Sequence, residues 1–373
     1  MVKQIVEKKT HKFTIRDKIR AKRELRENSL NTYINSLKII KQKLDDSYDR
    51  TEPIMDTKFL LDYDKVMEVI DNEKKITTKK NRLTAVIVAL TSDNQKADII
   101  GQYSDKLKEL SDKYLSFLRT QQKTDTQKKN WINYEELVEI VNKLMRKVKD
   151  YGLHKKDPAT HRPTSKEFIT LQRYLILRTY LTFSLRNNFA DMKILKRTEY
   201  NKIPQKERDE NNFLILAPSN RKYFYINQFK NRKFIGEKIL TVPPKLNKVI
   251  NLWLRWNKSG YYLVKADRKT PFSPNSITKF LNSLFNKYAD GKKISSSMIR
   301  HIIISHLQRN EPTIYQKDKE AQDIENMFFH SSGINELYRK IDDVNEDIDP
   351  TNEDQPKKKS LKERAKEMSE SLS

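Results

Sequence analysis

The fold is decided by residues 212–242, which read NFLILAPSNRKYFYINQFKNRKFIGEKILTV. Three short apolar runs in this stretch contain aromatic and β-branched residues, and turn-prone polar residues separate them: 212–217, 222–227 and 238–242. Runs of this length and composition are typical of strands, so the sequence predicts three antiparallel strands. Pro243 and Pro244 end the third strand, because proline cannot donate a ladder hydrogen bond.

Helical periodicity lies on both sides of these strands. Apolar residues from Leu30 to Ile40 follow the spacing of one helical face. Similar patterns predict nine further helices: 57–72, 77–91, 97–118, 133–149, 165–187, 245–257, 274–288, 295–308 and 319–329. We therefore predict a mainly α protein with a small antiparallel β-sheet, which belongs to the α+β class.

Changes in composition along the chain predict its domain organisation. Residues 119–130, RTQQKTDTQKKN, contain no aliphatic or aromatic side chain, which is typical of a linker. Residues beyond 341 are rich in charge and poor in apolar side chains. The predicted parts are a basic N-terminal arm (1–28), a helical domain (29–120), a linker (121–130), a second domain (131–341) and a charged, disordered tail (342–373).

Charge and motif content restrict the classes of function. The chain has 75 Lys and Arg against 50 Asp and Glu, a net charge of +25, which favours a nucleic-acid partner. The absence of cysteine excludes disulfides, cysteine-based zinc sites and thiol catalysis. Neither GxGxxG nor GxxxxGK[ST] occurs, so we expect no nucleotide cofactor, and we expect no metal. Without a membrane-spanning apolar segment or a signal peptide, the protein is expected to be intracellular and not secreted.

A basic protein that cuts DNA can use metal-bound carboxylates, or a protein nucleophile supported by cations. Residues suited to the second route occur in order along the chain: Arg186 in YLTFSLR, Lys230 in NQFKNRK, Arg300 in SSSMIRHI, His330 in FHSSG and Tyr338 in ELYR. A tyrosine hydroxyl that attacks a phosphodiester builds negative charge on the phosphate oxygens. Two arginine forks can stabilise that charge, and a lysine can protonate the departing oxygen.

These boxes resemble those of the tyrosine recombinase family, the phage-type and Xer-like integrases, and most of all the divergent integrases of virophages and giant viruses. SLRNNFADMKIL resembles the first-arginine box, INQFKNRKFIGEKILTVPPKL the lysine-bearing hairpin, SMIRHIIISHL the second-arginine helix and FFHSSGINELY the histidine–tyrosine box. The resemblance covers about 131–340 and, more weakly, 29–118, where ENSLNTYINSLKII resembles the start of the family's core-binding domain.

The resemblance implies a helical core-binding domain followed by a recombinase-type catalytic domain. It implies that Tyr338 is the nucleophile, with Tyr315 as the alternative. The other catalytic residues that it implies are Arg186, Lys230, Arg300 and His330. Lys233 and Lys238 are the alternatives to Lys230, which is favoured because it comes directly after the strand. Cleavage through a phosphotyrosine bond conserves the energy of the broken linkage, so neither ATP nor a metal is required.

Two positions depart from the family pattern. Ser297 stands three residues before the second arginine, where the family usually has His or Lys, and a hydroxyl cannot carry a positive charge. His301 is adjacent but points about 100° away on a helix. Phe189 stands where the family often has an acidic residue, and Asp191 is the candidate substitute.

The expected partner is double-stranded DNA, with four protomers assembled on two DNA sites and no membrane involved. Lys79, Lys80 and Lys233 are candidate phosphate contacts. The expected location is at DNA, in a host nucleus or a viral replication site, and the expected role is integration of a viral or mobile genome. Three other functions remain open: a type IB topoisomerase, a degenerate family member that only binds DNA, and a metal-dependent DDE integrase.

Overall fold

The computed structural model describes residues 13–230, 232, 236–308 and 338–340. The chain divides into two compact units, residues 1–120 and 121–373. The first unit is helical in its described part. Its helices are α1 (Ile15–Lys22), α2 (Glu27–Leu44), α3 (Tyr63–Asp71), α4 (Ile76–Ser92) and α5 (Ala97–Arg119), and a 3₁₀ turn covers Lys58–Leu60.

Helix α1 belongs to the core of the first unit. The Thr14 hydroxyl accepts from the Asp17 backbone N–H, and the Asp17 carboxylate accepts from the Thr14 backbone N–H, which satisfies two donors at the helix start. Ile15 and Ile19 are fully buried against the other helices. Residues 15–22, which lie within the basic N-terminal arm predicted for 1–28, therefore form a helix that two apolar side chains one turn apart anchor in this core. Residues 1–12 lie outside the described part.

The second unit contains the sheet and the remaining helices. The helices that precede the sheet are α6 (Asp125–Asn130), α7 (Tyr134–Asp150) and α8 (Ser165–Phe183). The strands are β1 (Lys193–Lys196), β2 (Phe213–Leu216), β3 (Lys222–Ile226) and β4 (Lys238–Thr241), with α9 (Arg197–Tyr200) and α10 (Gln205–Glu210) between β1 and β2. The helices that follow the sheet are α11 (Pro244–Trp256), α12 (Pro274–Tyr288) and α13 (Ser296–Leu307).

The sheet is mixed, with the strand order β1-β2-β3-β4. The antiparallel pairing of β2 with β3 and of β3 with β4 confirms the three predicted strands and the α+β class. Strand β1 was not predicted, and it pairs in parallel with β2, with Lys193 opposite Phe213. Its four residues, KILK, carry too little pattern to indicate a strand, and the pairing with β2 supplies the stabilisation that local sequence does not.

Helix α8 is the centre of the second unit. Thr164 and Glu167 form a capping box at its start, and most of its residues are buried against α7, α11 and α13. The helix ends at Phe183, four residues earlier than predicted, because Ser184 adopts a left-handed conformation with φ 44°. Arg186 therefore lies just beyond the helix, before a 3₁₀ turn over Asn187–Phe189.

The predicted linker 121–130 contains helix α6. Thr124 and Gln127 form a capping box at its start. The Asn130 side chain accepts a hydrogen bond of 2.7 Å from the Lys293 backbone, so α6 is tied to the second unit. The helix predicted at 319–329 and the tail predicted at 342–373 fall outside the described residues.

No helix in the described part of the chain is both long and apolar enough to cross a membrane.

A fragment of residues 121–373 is expected to fold on its own. The residues that bury α8 and the residue that contacts α6 all belong to this unit, so the fragment keeps its own core. Circular dichroism with urea denaturation should show helical content and one cooperative transition. A matched fragment that begins at Trp131 loses the Asn130–Lys293 contact and should be less stable, and a non-cooperative 121–373 fragment would contradict the predicted boundary.

Candidate active site

Arg300 lies in the middle of a buried helix. Ser295 caps α13, and the apolar residues of this helix are buried on most sides of it. Arg300 shares this burial, with 5% of its surface exposed. Burial lowers the pKa of its guanidinium, and the nearby Arg186 lowers this pKa further, whereas the Tyr338 side chain opposes the shift. A buried guanidinium next to a second one is costly unless an anion joins them.

The Tyr338 hydroxyl lies beside Arg300. Nη2 of Arg300 is 3.5 Å from the Tyr338 hydroxyl oxygen, and the guanidinium carbon is 5.3 Å from the ring centroid. Nε and Nη1 of Arg300 are buried and have no hydrogen-bond partner among the described residues. Because native proteins satisfy nearly all buried donors, these two N–H groups are suited to a ligand that supplies oxygen acceptors.

Residues 338–340 are held along α13 by two hydrogen bonds. Nδ1 of His301 lies 2.6 Å from the Tyr338 carbonyl oxygen, and the Lys340 backbone donates to the Ser305 hydroxyl at 2.7 Å. His301 and Ser305 are four residues apart and therefore share one helix face. A carbonyl can only accept, so Nδ1 of His301 carries the proton. His301, the residue after Arg300, therefore donates a hydrogen bond to the Tyr338 backbone. The sequence did not predict this role.

Arg186 is positioned by the turn that follows α8. The Tyr180 hydroxyl donates to the Asn187 side-chain oxygen at 2.7 Å, and the Asn187 side-chain nitrogen donates to the Pro274 carbonyl at 2.7 Å. Burial raises the pKa of the Tyr180 hydroxyl, and Ser296 in the first turn of α13 lies near enough to oppose this shift. The turn after Arg186 is thus fastened both to α8 and to the start of α12.

Lys230 lies in the connection between β3 and β4, and it is exposed. The chain that leads to it is fixed by Asn212, a buried residue just before β2, whose side chain accepts from the backbone of Asn227 and Gln228 at 2.8 and 2.7 Å. Sequence reasoning missed Asn212 and Asn187. Their only local signal is a polar residue at the edge of an apolar segment.

The structure brings some of the predicted site residues together. Arg300 lies beside Tyr338, and Arg186 is near enough to lower the pKa of Arg300; we call these three residues with His301 the Arg300 cluster. Ser297 is half-buried in the first turn of α13, three residues before Arg300. His330, Lys233 and the alternative nucleophile Tyr315 lie outside the described residues.

The other predicted residues have local surroundings of their own. Asp191 is exposed, and Phe189 is fully buried, with its ring 5.0 Å from that of Tyr180. The Phe189 position is therefore filled by a core residue. In the first unit, Lys79 pairs with Asp71 at 3.2 Å, and the Lys80 ammonium lies 5.1 Å from the centroid of the Tyr114 ring.

The pH dependence of stability is expected to report on His301. Its pKa is lowered to about 4, because burial disfavours the imidazolium and because Lys340 and Arg300 lie nearby. The unfolded chain takes up this proton near its usual pKa of about 6.5, before the folded protein does, so stability present above that pH is lost as the pH falls towards 4. Between pH 7 and pH 5 the free energy of unfolding should fall by about 1–2 kcal/mol through this group.

Urea denaturation of wild type and His301→Asn at both pH values measures this effect. Asparagine can donate to the Tyr338 carbonyl but does not titrate, so the variant should lose this part of the pH dependence. An identical pH dependence in the two proteins would show that His301 titrates normally.

No protein-family model matches the sequence, and no curated protein matches it. The solved structures that are similar to the chain include two recombinases. One is the XerA recombinase, with 11% identity, 88% of this chain and 93% of that chain covered, and a TM-score of 0.36. The other is the XerH site-specific recombinase bound to its difH substrate as a pre-cleavage complex, with 12% identity, 83% and 76% coverage, and a TM-score of 0.46. Likeness at this level assigns neither a family nor an activity to this protein.

Proposed function

We propose that the protein is a site-specific DNA recombinase that cleaves and rejoins duplex DNA through a 3′-phosphotyrosyl intermediate. The observation that carries this proposal is the buried Arg300 side chain beside the hydroxyl of Tyr338, with two nitrogens that have no hydrogen-bond partner in the described part of the chain. A phosphodiester placed there would supply acceptors for Arg300 within reach of a nucleophile. The order of the sequence boxes supports the same reading.

In the proposed reaction, the Tyr338 oxygen attacks the scissile phosphorus. The new bond joins phosphorus to the tyrosine oxygen, the bond to the 5′ oxygen breaks, and the phenolic proton passes to solvent. Arg186 and Arg300 stabilise the charge on the non-bridging oxygens. Lys230 gives a proton to the departing 5′ oxygen, and His330 is proposed to donate a further hydrogen bond to the phosphate. Rejoining reverses these steps with a different 5′ hydroxyl.

The proposed partner is double-stranded DNA, with four protomers assembled on two DNA sites inside the cell. The proposed role is integration of a viral or mobile genome. The surplus of 25 positive charges supports a polyanionic partner. Lys79, Lys80 and Lys233 are proposed to contact phosphates, and Lys79 would exchange its Asp71 partner for a phosphate. Ser297 is proposed to support the site through its hydroxyl, and Asp191 through its charge near the turn after Arg186.

Trapping on a nicked suicide substrate tests this function. The nick releases the short 5′-hydroxyl strand, so rejoining stops and a covalent protein–DNA adduct accumulates. With EDTA present, wild type should give an adduct that survives denaturing gel electrophoresis. In this adduct the protein should be joined to the 3′ phosphate of the cleaved strand. Cleavage only in the presence of Mg²⁺ would contradict a tyrosine mechanism, and binding without any adduct would indicate a protein that only binds DNA.

A further inference from the structure

Asn212 uses its whole side-chain amide to join two loops. The residue is 6% exposed and lies directly before β2. Its Nδ2 donates to the Asn188 carbonyl at 2.7 Å and to the Gln228 carbonyl at 3.0 Å. Its Oδ1 accepts from the Asn227 and Gln228 backbone at 2.8 and 2.7 Å. An amide has two donors and one acceptor oxygen with two lone pairs, so every hydrogen-bonding position is filled.

These hydrogen bonds take the place of backbone pairing at the end of the sheet, where β2 and β3 separate. The last regular pairs of β2 and β3 include Phe213 opposite Tyr225, and β3 ends at Ile226. Beyond that point the Asn212 side chain, rather than a neighbouring backbone, binds the next two N–H groups. The chain after β3 can therefore leave the sheet in a defined direction without exposing unsatisfied donors.

The two joined loops carry the two proposed catalytic cations. Asn188 follows Arg186 by two residues, and Gln228 precedes Lys230 by two residues. The Asn188 side chain also donates directly to the Gln228 carbonyl at 3.0 Å. This carbonyl thus accepts from both asparagines, and it is the point at which the Arg186 loop and the Lys230 loop meet.

The Lys230 loop is fastened a second time, to the end of α10. The Asn227 side chain donates to the Arg208 carbonyl at 2.8 Å, and Nε2 of Gln228 donates to the Asp209 carbonyl. On the other side of Lys230, Arg232 pairs with the Asp209 carboxylate at 2.6 Å. Lys230 is exposed, and the side chains two residues before it and two residues after it both contact Asp209.

We propose that Asn212 is a positioning residue that sets Lys230 against the departing 5′ oxygen and couples the lysine loop to the Arg186 loop. This inference rests on the proposed function. Three of the four Asn212 hydrogen bonds go to the lysine side of the junction and one to the arginine side. The loss of Asn212 therefore acts mainly on protonation of the leaving group.

Asn212→Asp is the variant that tests this role. Aspartate has the same shape and keeps an acceptor for the two N–H groups, but it places an oxygen against the carbonyls of Asn188 and Gln228. On a suicide substrate with an ordinary 5′ oxygen, cleavage should slow by roughly 10- to 100-fold, because displacement of a general acid by about 1 Å has effects of that order. DNA affinity should be unchanged.

A second substrate carries sulfur in place of the bridging 5′ oxygen. A thiol has a pKa near 8.5, whereas the oxygen leaving group resembles water, with a pKa of about 15.7, so the thiolate departs without a proton donor. Asn212→Asp and Lys230→Ala should both cleave the sulfur substrate within about 3-fold of wild type. The ratio of sulfur to oxygen rates is insensitive to misfolding, since a loss of folded protein lowers both rates equally.

Asn211→Asp is the matched control. This neighbouring asparagine donates to the Glu207 carbonyl within its own helix end at 2.8 Å and makes no bond to the lysine loop in the described contacts. It should keep the wild-type rate ratio. Slowing of Asn212→Asp by the same factor on both substrates, or no slowing on either, would overturn the positioning role. Failure of wild type to form an adduct with either substrate would instead overturn the proposed function.

Discussion

Tyr338→Phe is expected to abolish covalent attachment to DNA while DNA binding stays at the wild-type level. The hydroxyl is the proposed nucleophile, and phenylalanine removes that oxygen alone. The Arg300 approach to this hydroxyl, at 3.5 Å, is long for a hydrogen bond, so losing it should change the free energy of unfolding by less than about 1 kcal/mol. The His301 contact to the Tyr338 backbone remains, so the segment stays on α13.

The measurement is adduct formation on a suicide substrate, together with a gel-shift titration. Tyr315→Phe serves as the control, since Tyr315 is the other candidate nucleophile in the sequence. It should form adducts at the wild-type rate. An adduct that persists in Tyr338→Phe and disappears in Tyr315→Phe would move the nucleophile to the second position.

Arg300→Met is expected to leave the free protein as stable as wild type, or more so, while cleavage collapses. Within the described residues, Nε and Nη1 of this buried guanidinium have no partner, which is costly in the absence of DNA, and an apolar side chain of similar length removes that cost. The lost transition-state donor should slow cleavage by roughly 10²–10³-fold, equivalent to about 2.7–4 kcal/mol. Arg300→Lys should restore little, because a point charge cannot replace a planar fork.

Urea denaturation and single-turnover cleavage measure the two sides of this prediction. Arg178→Met is the control for burial, since Arg178 is also 5% exposed, on α8, and has no proposed catalytic role. It should keep the cleavage rate per folded molecule. If Arg300→Met lowered the free energy of unfolding by more than about 3 kcal/mol, Arg300 would be a structural residue. A loss of that size is typical when one member of a buried ion pair is removed and the other is left unpaired. Full activity in Arg300→Lys would contradict a bidentate role.

The elements with strong local signals could be predicted from the sequence. The helices that apolar periodicity predicts at 274–288 and 295–308 agree within one residue with α12 and α13, and in the structure Ser273 and Ser295 cap their first turns. Strands β2, β3 and β4 were found from their apolar and aromatic runs. These features depend on neighbours a few residues apart, which a sequence displays directly.

The choice of Arg186, Lys230, Arg300, His330 and Tyr338 also came from the sequence, by the order of short boxes and their resemblance to a family. Their catalytic roles stay predictions. Tertiary structure decided their surroundings: the burial of Arg300, its approach to Tyr338, and the use of His301 to hold the Tyr338 backbone.

What sequence reasoning could not supply depends on contacts between distant residues. Strand β1 exists through its pairing with β2, some 20 residues away, and α8 stops at Phe183 because Ser184 turns left-handed. Asn212 joins residues 188 and 228, which lie 24 and 16 positions from it. Local composition determined the helices, the main strands and the candidate chemistry of this protein. Only the folded chain determined which polar side chains meet, because a buried hydrogen bond is chosen by proximity in space and not by spacing in sequence.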